Sequence, residues 1–365
     1  MQFYNDFFNV NFETPEEREW KRKAARRTFS RVFLALFLYV VTSQVVATAI
    51  YTIAAILLSP EAYYAFATNS IYTLLISSAV QYLIGFPIFI LITLGMKNKS
   101  GTVKEKMRFK ELMFLFFIGQ TLMYIGNIIG NTINSVVGNY KGASPENPIE
   151  TIVNETPLWL LFILVVIVGP IVEEIICRKI MIDKLSIFGD GVAILFSAVA
   201  FGMLHMNLYQ FFYAAFLGVL LGYIYAKTRN VKYTIVIHMI VNFIGSIVAL
   251  PVQKALEKLS EYSSSFNFND LTDLQNIKIP PIENLPDFVF NGGIVLLYQA
   301  LQLGMVYSGL VVAIYYFRRR KFTLSREKDI SLKIGDVLQS GIVNAGSILY
   351  ICTVSILTII TLFFA

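Results

Sequence analysis

The sequence predicts an all-α fold, a polytopic helical bundle that spans a membrane. Of its 365 residues, 56% are hydrophobic and only 15% are charged, whereas a soluble globular domain usually carries about 25% charged residues. The apolar residues are concentrated in blocks long enough to cross a hydrocarbon core, which needs roughly 20 helical residues. The alternation of apolar and polar residues that is typical of a transmembrane β-barrel is absent from these blocks.

Nine apolar blocks set the predicted number of membrane spans. They are 32–58, 71–96, 112–137, 157–177, 191–206, 209–226, 233–250, 289–317 and 340–364. The block 191–206 is short and leaves little room for a turn before the next one. Eight spans with a re-entrant segment are therefore the alternative count. Under either count we treat 32–365 as a single transmembrane domain.

The basic residues predict the orientation of the bundle. With a cytoplasmic N-terminus and nine alternating spans, the inner segments are 1–31, 97–111, 178–190, 226–232 and 318–339. They contain 26 of the 30 Lys and Arg residues, as expected for cytoplasmic loops. The sequence therefore predicts an N-terminus inside and a C-terminus outside. The same bias, facing anionic lipid, accounts for the net charge of +6 without a nucleic-acid partner.

Residues 1–31 are expected to form a cytoplasmic basic juxtamembrane segment. Thr14, Pro15 and Glu17 have the pattern of a capped helix start, and the basic run that follows suggests a helix lying on the inner leaflet. The segment has no apolar core followed by a small-residue cleavage site, so it does not have the pattern of a signal peptide.

The segment 251–287 is the one sizeable outer loop that the span count predicts. It begins with an amphipathic pattern over 252–262, and the consecutive Pro280 and Pro281 exclude regular structure further on. It could act as a lid or a substrate collar, or it could be a solvated connector.

Four ionisable residues in apolar blocks indicate a functional site. The chain has two histidines, His205 and His238, and both fall in apolar blocks, as do the adjacent Glu173 and Glu174. Ionisable groups are costly in a bilayer core and by default mark a site of function. A single intramembrane histidine could be explained by an interhelical hydrogen bond, but all four groups lie within one 66-residue stretch.

Counting residues along a helical hairpin places two of these side chains at the same depth. If the helix holding Glu173 turns at 188–191 and returns, Glu173 lies 16 residues before Gly189 and His205 lies 16 residues after it. Both then sit roughly 24 Å from the same turn. His238 and Asn242 are spaced i, i+4, so they share one helix face.

The two glutamates are expected to have different roles. As neighbours they point about 100° apart on a helix. Glu174 and Arg178 are spaced i, i+4 in the order that favours an ion pair, so we assign that pair to neutralising the site. Glu173 is then left to face a cavity.

The chemistry that this arrangement predicts is hydrolysis by an activated water. Glu173 and His205 can share a water molecule and act on it as general bases. His238 and Asn242 can donate to the oxyanion that forms when the water attacks a peptide carbonyl. Nothing identifies Cys177 as a nucleophile, although it lies among these residues.

Three short motifs in this region resemble those of a known family. They are Glu173-Glu174-x-x-x-Arg178, Phe201-x-x-x-His205 and His238-x-x-x-Asn242, which match EExxxR, FxxxH and HxxxN. In this order they are similar to the motifs of the CPBP family, the CAAX proteases and bacteriocin-processing enzymes, also called Abi. The resemblance covers about 155–248.

The resemblance implies an eight-helix-type membrane core with a cavity open to the cytoplasm, and an endopeptidase of the type II CAAX class. It implies that Glu173 and His205 activate the water and that His238 and Asn242 form the oxyanion site. It also implies Glu174 and Arg178 as supporting residues and Phe201 as a cavity-lining residue. The implied substrate is a membrane-associated peptide or lipidated protein, either a CAAX-like farnesylated tail or a leader-type precursor.

Other functions remain open from the sequence alone. The same fold could serve as a non-proteolytic scaffold, a bacteriocin-immunity factor or a regulator, and a transporter could use a Glu and His pair as a proton relay. We expect no metal cofactor and rank a zinc-dependent protease last among the alternatives, because no HExxH motif is present and zinc bound by Glu and both His would leave no evident base. The many Ile, Lys and Asn residues suggest the plasma membrane of a low-GC bacterium. The oligomeric state is not indicated.

Overall fold

The computed structural model describes residues 14–100, 104–142, 148–262, 281–324 and 328–364. Twelve helices make up the described part of the chain. They are α1 (Pro15–Leu57), α2 (Pro60–Ala67), α3 (Ser70–Thr93), α4 (Phe109–Lys141), α5 (Pro148–Glu155), α6 (Leu158–Phe188), α7 (Asp190–Met203), α8 (Leu208–Thr228), α9 (Val231–Glu261), α10 (Ile282–Arg318), α11 (Ile334–Ile342) and α12 (Ala345–Phe363).

Eight of the described helices are long and apolar enough to cross a membrane, which confirms the predicted polytopic all-α fold. They are α1, α3, α4, α6, α8, α9, α10 and α12. The block predicted at 191–206 instead forms α7, a helix of 14 residues, or about 21 Å at 1.5 Å per residue. Eight described helices are therefore long enough to cross a membrane, and α7 is a shorter apolar helix between two of them.

From Pro15 onward, the basic N-terminal segment does not form a separate helix on the membrane surface. Residues 1–13 lie outside the described part, and from Pro15 onward the segment is continuous with the first span as the 43-residue helix α1. Its start is capped as predicted, since Thr14 Oγ1 accepts a hydrogen bond from Glu17 N at 3.1 Å. The segment packs on the bundle because its apolar face includes Phe29, whose ring contacts those of Phe188 and Phe196.

Helices α6 and α7 form the predicted hairpin, which positions the candidate site. The chain reverses at Gly189, whose φ of +121° is unfavourable for residues with a side chain. Helix α8 then packs along α7, where a Cβ on Gly218 would lie 3.0 Å from Ala198 Cα. On its other side α8 lies against α4, where a Cβ on Gly126 would lie 2.6 Å from the backbone of Tyr213. Small residues allow this close approach of helices.

The predicted inner segments meet at one end of the bundle. Ion pairs join them at Lys99–Asp190 (3.2 Å), Lys227–Glu111 (2.6 Å) and Arg18–Asp336 (2.8 Å). At the other end, Lys141 Nζ donates to Leu362 O at 3.0 Å. This separation is what alternating spans produce. The side of the membrane that each end faces stays a prediction.

The start of the predicted outer loop continues helix α9. Val252 and Leu259, on its apolar face, are buried against Val295 of α10. Residues 263–280 of the loop lie outside the described part, so its role as a lid, a collar or a connector stays a prediction.

Candidate active site

The helix that carries the two glutamates is widened on both sides of them. Residues Phe162–Val168 and Ile175–Ile182 of α6 form π-helical turns, and Gly169–Glu174 between them is α-helical. Similar turns occur at Phe243–Val248 of α9, directly after Asn242, and at Gln81–Gly85 of α3. Such turns are rare and are frequent at functional sites. Their clustering around one part of the bundle marks it as the candidate site.

Glu174, Arg178 and His238 form a buried charged group behind the site. Arg178 Nε lies 3.2 Å from Glu174 Oε2, and neither side chain is exposed. The i, i+4 pairing predicted from the sequence is therefore present, although its angle is not that of a hydrogen bond. The other carboxylate oxygen of Glu174 lies 3.0 Å from His238 Nδ1. Glu174 thus joins α6 to α9.

Phe201 packs inside this group and is not among the residues that line the cavity of Glu173 and His205, so the lining role implied by the family resemblance stays a prediction. Its side chain is buried, and the guanidinium carbon of Arg178 lies 4.3 Å from the ring centroid. The rings of His205 and His238 contact it edge-on, with centroids 5.1 and 5.5 Å away. Phe201 therefore offers Arg178 a cation–π contact and separates the two imidazoles.

Glu173 and His205 line one cavity of about 50 Å³, as the residue count along the hairpin predicts. The Glu173 side chain is 30% exposed. His205 Nδ1 lies 2.9 Å from Phe201 O, and a carbonyl at that distance fixes the ring proton on Nδ1. The other nitrogen, Nε2, is then left to accept a hydrogen bond.

His238 bridges the two glutamates, which the sequence did not predict. Its Nδ1 contacts Glu174, and its Nε2 lies 3.6 Å from Glu173 Oε2.

The side chain of Asn242 is already hydrogen-bonded, whereas the sequence predicted a free oxyanion donor. Its Nδ2 donates to Val165 O at 2.9 Å. One N–H of that carboxamide therefore donates to a backbone carbonyl of α6. The second N–H has no hydrogen-bond partner among the described residues, and the role of both His238 and Asn242 stays a prediction.

The remaining cavity wall comes from residues that sequence reasoning missed. They are Tyr39, Val40, Ser43 and Gln44 of α1, Gln81 of α3, Ile176 of α6, and Leu204 and Met206 after α7. The signal that could have found Gln44 and Gln81 is their position inside apolar blocks, since polar groups in a membrane span also need a partner.

Asn207 was also missed, and it holds the backbone of His205. Its Nδ2 donates to His205 O at 2.8 Å, while its Oδ1 accepts from Gln210 N at 2.9 Å and caps α8. Between them, Met206 has a φ of +54°, a left-handed conformation that is uncommon for a residue with a side chain. The turn that carries His205 is therefore fixed by one buried carboxamide.

No three His, Cys, Asp or Glu side chains converge as a candidate metal site within the described ranges. Cys177 is buried and Cys352 is exposed, and both are free thiols.

Comparison with known proteins agrees with the motifs. Residues 155–244 match the family model described as type II CAAX prenyl endopeptidase Rce1-like. A Bacillus subtilis (strain 168) protein named "Putative membrane peptidase YdiL" is 31% identical over 150 residues, 40% of this chain and 58% of that protein. The "Membrane-embedded CAAX protease MroQ" of Staphylococcus aureus (strain USA300) is 27% identical over 195 residues, 51% of this chain and 78% of that protein.

These matches confirm the resemblance to the CPBP family that the three motifs indicate. The region matched by the family model covers the three motifs of the candidate site but only part of the chain. The match to the Bacillus relative spans 58% of the length of that protein. No solved structure matches the chain. At the level of the family, the similarity is to membrane proteases, and together with the apolar helices it supports an integral membrane location.

Proposed function

We propose that this protein is an intramembrane endopeptidase that hydrolyses a peptide bond of a membrane-associated substrate with a water activated by Glu173 and His205. The observation that carries the proposal is the joint exposure of these two side chains in one cavity. A carboxylate and an imidazole can both accept protons from one water molecule, which makes it a nucleophile. The proposed class is a CAAX endopeptidase type II-like protease.

His205 is the better defined of the two proposed bases. Its Nδ1 proton is engaged by Phe201 O, so Nε2 accepts a proton from the water. Glu173 accepts the second hydrogen bond and directs the oxygen towards the substrate carbonyl. The proton taken up in the attack is then returned to the leaving amine, because the amine departs only when it is protonated.

The proposed oxyanion site uses His238 and Asn242. With its Nδ1–H donating to Glu174, His238 donates from Nε2 when both ring nitrogens carry protons. Asn242 contributes the N–H that Val165 O does not use. Arg178 compensates the buried charge of Glu174.

The proposed substrate is a peptide or lipidated protein tail that reaches the cavity from the bilayer. The name of the Staphylococcus relative refers to a CAAX protease, which favours a prenylated CAAX-like tail as the first candidate and a leader-type peptide as the second. We propose no metal cofactor and no nucleic-acid partner. The proposed location is a bacterial plasma membrane with the N-terminus in the cytoplasm, in keeping with the two bacterial relatives and the charge bias.

The experiment is a cleavage assay on purified protein in detergent or liposomes. Wild type and Glu173→Ala are incubated with a panel of farnesylated CAAX-type and leader-type peptides, with and without a zinc chelator, and products are identified by mass spectrometry. The proposal predicts cleavage by wild type that disappears in the variant and survives chelation. Cleavage that stops on chelation contradicts the metal-free reaction. A folded wild type that cleaves none of the peptides favours the scaffold or immunity function.

A further inference from the structure

Outside the motif residues, the cavity wall carries a hydrogen-bonded pair, Tyr39 and Gln81. Tyr39 OH donates to Gln81 Oε1 at 3.1 Å, and both residues line the cavity together with Glu173 and His205. The carbonyl of the Gln81 carboxamide is thereby occupied. Its amino group, Nε2, has no hydrogen-bond partner among the described residues, so two N–H donors are left.

The packing of α1 on α3 holds this pair in place. Tyr39 is 6% exposed, and burial of a tyrosine normally requires a partner for its hydroxyl. Gly85 lies one turn after Gln81, and a Cβ there would be 2.9 Å from the Tyr39 ring and 2.7 Å from Ser43 Oγ. Glycine at 85 therefore lets Tyr39 come close enough to reach Gln81.

The same stretch of α3 also contacts the helix of the catalytic glutamate. The hydroxyl of Tyr82 would lie 3.2 Å from a Cβ on Gly169, four residues before Glu173 in α6. Gln81 is thus part of a wall fixed against α6 and not a side chain on a free surface.

Among the described residues, Gln81 carries the carboxamide amino group of the cavity wall that makes no hydrogen bond. Ser43 Oγ donates to Tyr39 O at 2.7 Å, and Gln44 Nε2 is directed at Met206 Sδ at 3.9 Å. Glu173 is an acceptor when ionised, and His205 keeps only an acceptor nitrogen free. A peptide that enters a membrane cavity brings carbonyl groups that lose water and need a donor.

We propose that Gln81, oriented by Tyr39, binds the backbone of the substrate by donating from Nε2 to a peptide carbonyl. The inference rests on the proposed protease function and deepens it, because it assigns a substrate-backbone site to helices outside the matched region 155–244. Gln81 contacts substrate in this account. Tyr39 acts through Gln81 and is a positioning residue.

The expected effect is on binding more than on the chemical step. A neutral hydrogen bond contributes about 0.5–1.5 kcal/mol, so Gln81→Leu should weaken substrate binding roughly 3- to 10-fold at about 1.4 kcal/mol per factor of ten. KM should rise by the same factor while kcat changes less than about twofold, because a contact made equally before and during the reaction lowers only KM.

The test measures binding and cleavage separately. Binding of a fluorescent farnesylated CAAX-type peptide is measured by anisotropy with the inactive Glu173→Gln protein. The substitutions Gln81→Leu and Tyr39→Phe are introduced into this protein singly and together. KM and kcat for the same peptide are measured with Glu173 intact. The matched control is Gln302→Leu with Tyr298→Phe in α10, where Gln302 Nε2 donates to Tyr298 OH at 2.8 Å away from the cavity.

The proposal expects weaker binding in Gln81→Leu, a smaller loss in Tyr39→Phe, and a double variant no weaker than Gln81→Leu alone. The α10 control should bind as the parent does. Three results would overturn the proposal. Gln81→Leu could bind the peptide as tightly as the Glu173→Gln parent, or the losses of affinity could add in the double variant. The third is failure of the Glu173→Gln protein to bind the peptide at all. If the peptide is cleaved but its affinity does not depend on Gln81, only the role of Gln81 is wrong. If the affinity depends on Gln81 but the peptide is not cleaved, only the proposed protease function is wrong.

Discussion

His238 Nδ1 lies 3.0 Å from Glu174 Oε1 in a part of the bundle where both side chains are buried. This contact separates the roles of two adjacent glutamates. Glu174 holds an imidazole and an arginine inside the protein, whereas Glu173, one residue earlier, is 30% exposed in the cavity. The rotation of about 100° between neighbouring helical residues is enough to give one carboxylate a structural partner and the other access to water.

We expect Glu174→Gln to destabilise the protein by about 3–5 kcal/mol, because it leaves the guanidinium of Arg178 buried without a counter-charge. Arg178 has no alternative acceptor, since its Nη1 and Nη2 atoms have no hydrogen-bond partner among the described residues. The free energy of unfolding is measured by denaturant titration in detergent micelles.

Glu111→Gln is the matched control for this prediction. It removes an ion pair with Lys227 at 2.6 Å that is partly exposed, and such pairs contribute only about 0–1 kcal/mol. The double change Glu174→Leu with Arg178→Met should recover part of the loss, since it removes both buried charges. Equal stability of Glu174→Gln and Glu111→Gln would contradict the account of the buried pair.

Asn207→Asp should lower kcat/KM by roughly 3- to 10-fold, the value of one hydrogen bond of about 1 kcal/mol. Asp keeps the acceptor that caps α8 but loses the N–H that holds His205 O. The control is Asn230→Asp, whose Oδ1 caps α9 by accepting from Lys232 N at 3.2 Å. If both changes reduce activity equally, the contact to His205 has no special role. Steady-state kinetics at matched folded concentration decides it.

Cys177→Ala should retain activity within about twofold, although the thiol lies within the motif region. A covalent nucleophile has to reach the substrate, and Cys177 is buried with 0% exposure and is absent from the cavity wall. Treatment of wild type with a maleimide should also leave the cleavage rate unchanged. Loss of cleavage in Cys177→Ala protein that still folds would contradict the activated-water mechanism.

The orientation of the bundle predicts which introduced cysteines are reachable from outside the cell. In a Cys177→Ala, Cys352→Ala background, Lys141→Cys should react with a membrane-impermeant maleimide in intact cells. Lys104→Cys should react only after the membrane is permeabilised, because it belongs to a predicted inner segment rich in basic residues. The reverse pattern would show that the N-terminus faces outward.

Much of the fold and of the motif geometry could be predicted because it depends on local spacing. Helix length follows from the apolar blocks, the contact of Glu174 with Arg178 follows from i, i+4 spacing, and the common cavity of Glu173 and His205 follows from equal distances to Gly189. Each of these needs only the regular rise and turn of a helix.

The remainder depends on how helices meet, which spacing does not specify. The reach of His238 to both Glu173 and Glu174 requires α9 to dock on α6. The pair of Tyr39 and Gln81 requires α1 to pack closely at Gly85. The wide turns beside Glu173 are also invisible in the apolar pattern, since π-helical and α-helical turns use the same residue types. The continuity of α1 was missed because a basic amphipathic stretch also suits a surface helix.

The central claim, that Glu173 and His205 act on one water molecule, is tested most directly by a double-mutant cycle. The cleavage rates of wild type, Glu173→Gln, His205→Asn and the double variant are measured on one peptide under single-turnover conditions. General bases contribute about 10²- to 10⁴-fold, and residues that act as a unit are strongly non-additive. The account predicts that each single change costs at least about 10²-fold and that the double variant is no slower than the slower single one. Independent, additive losses, or cleavage by Glu173→Gln at the wild-type rate, would contradict it.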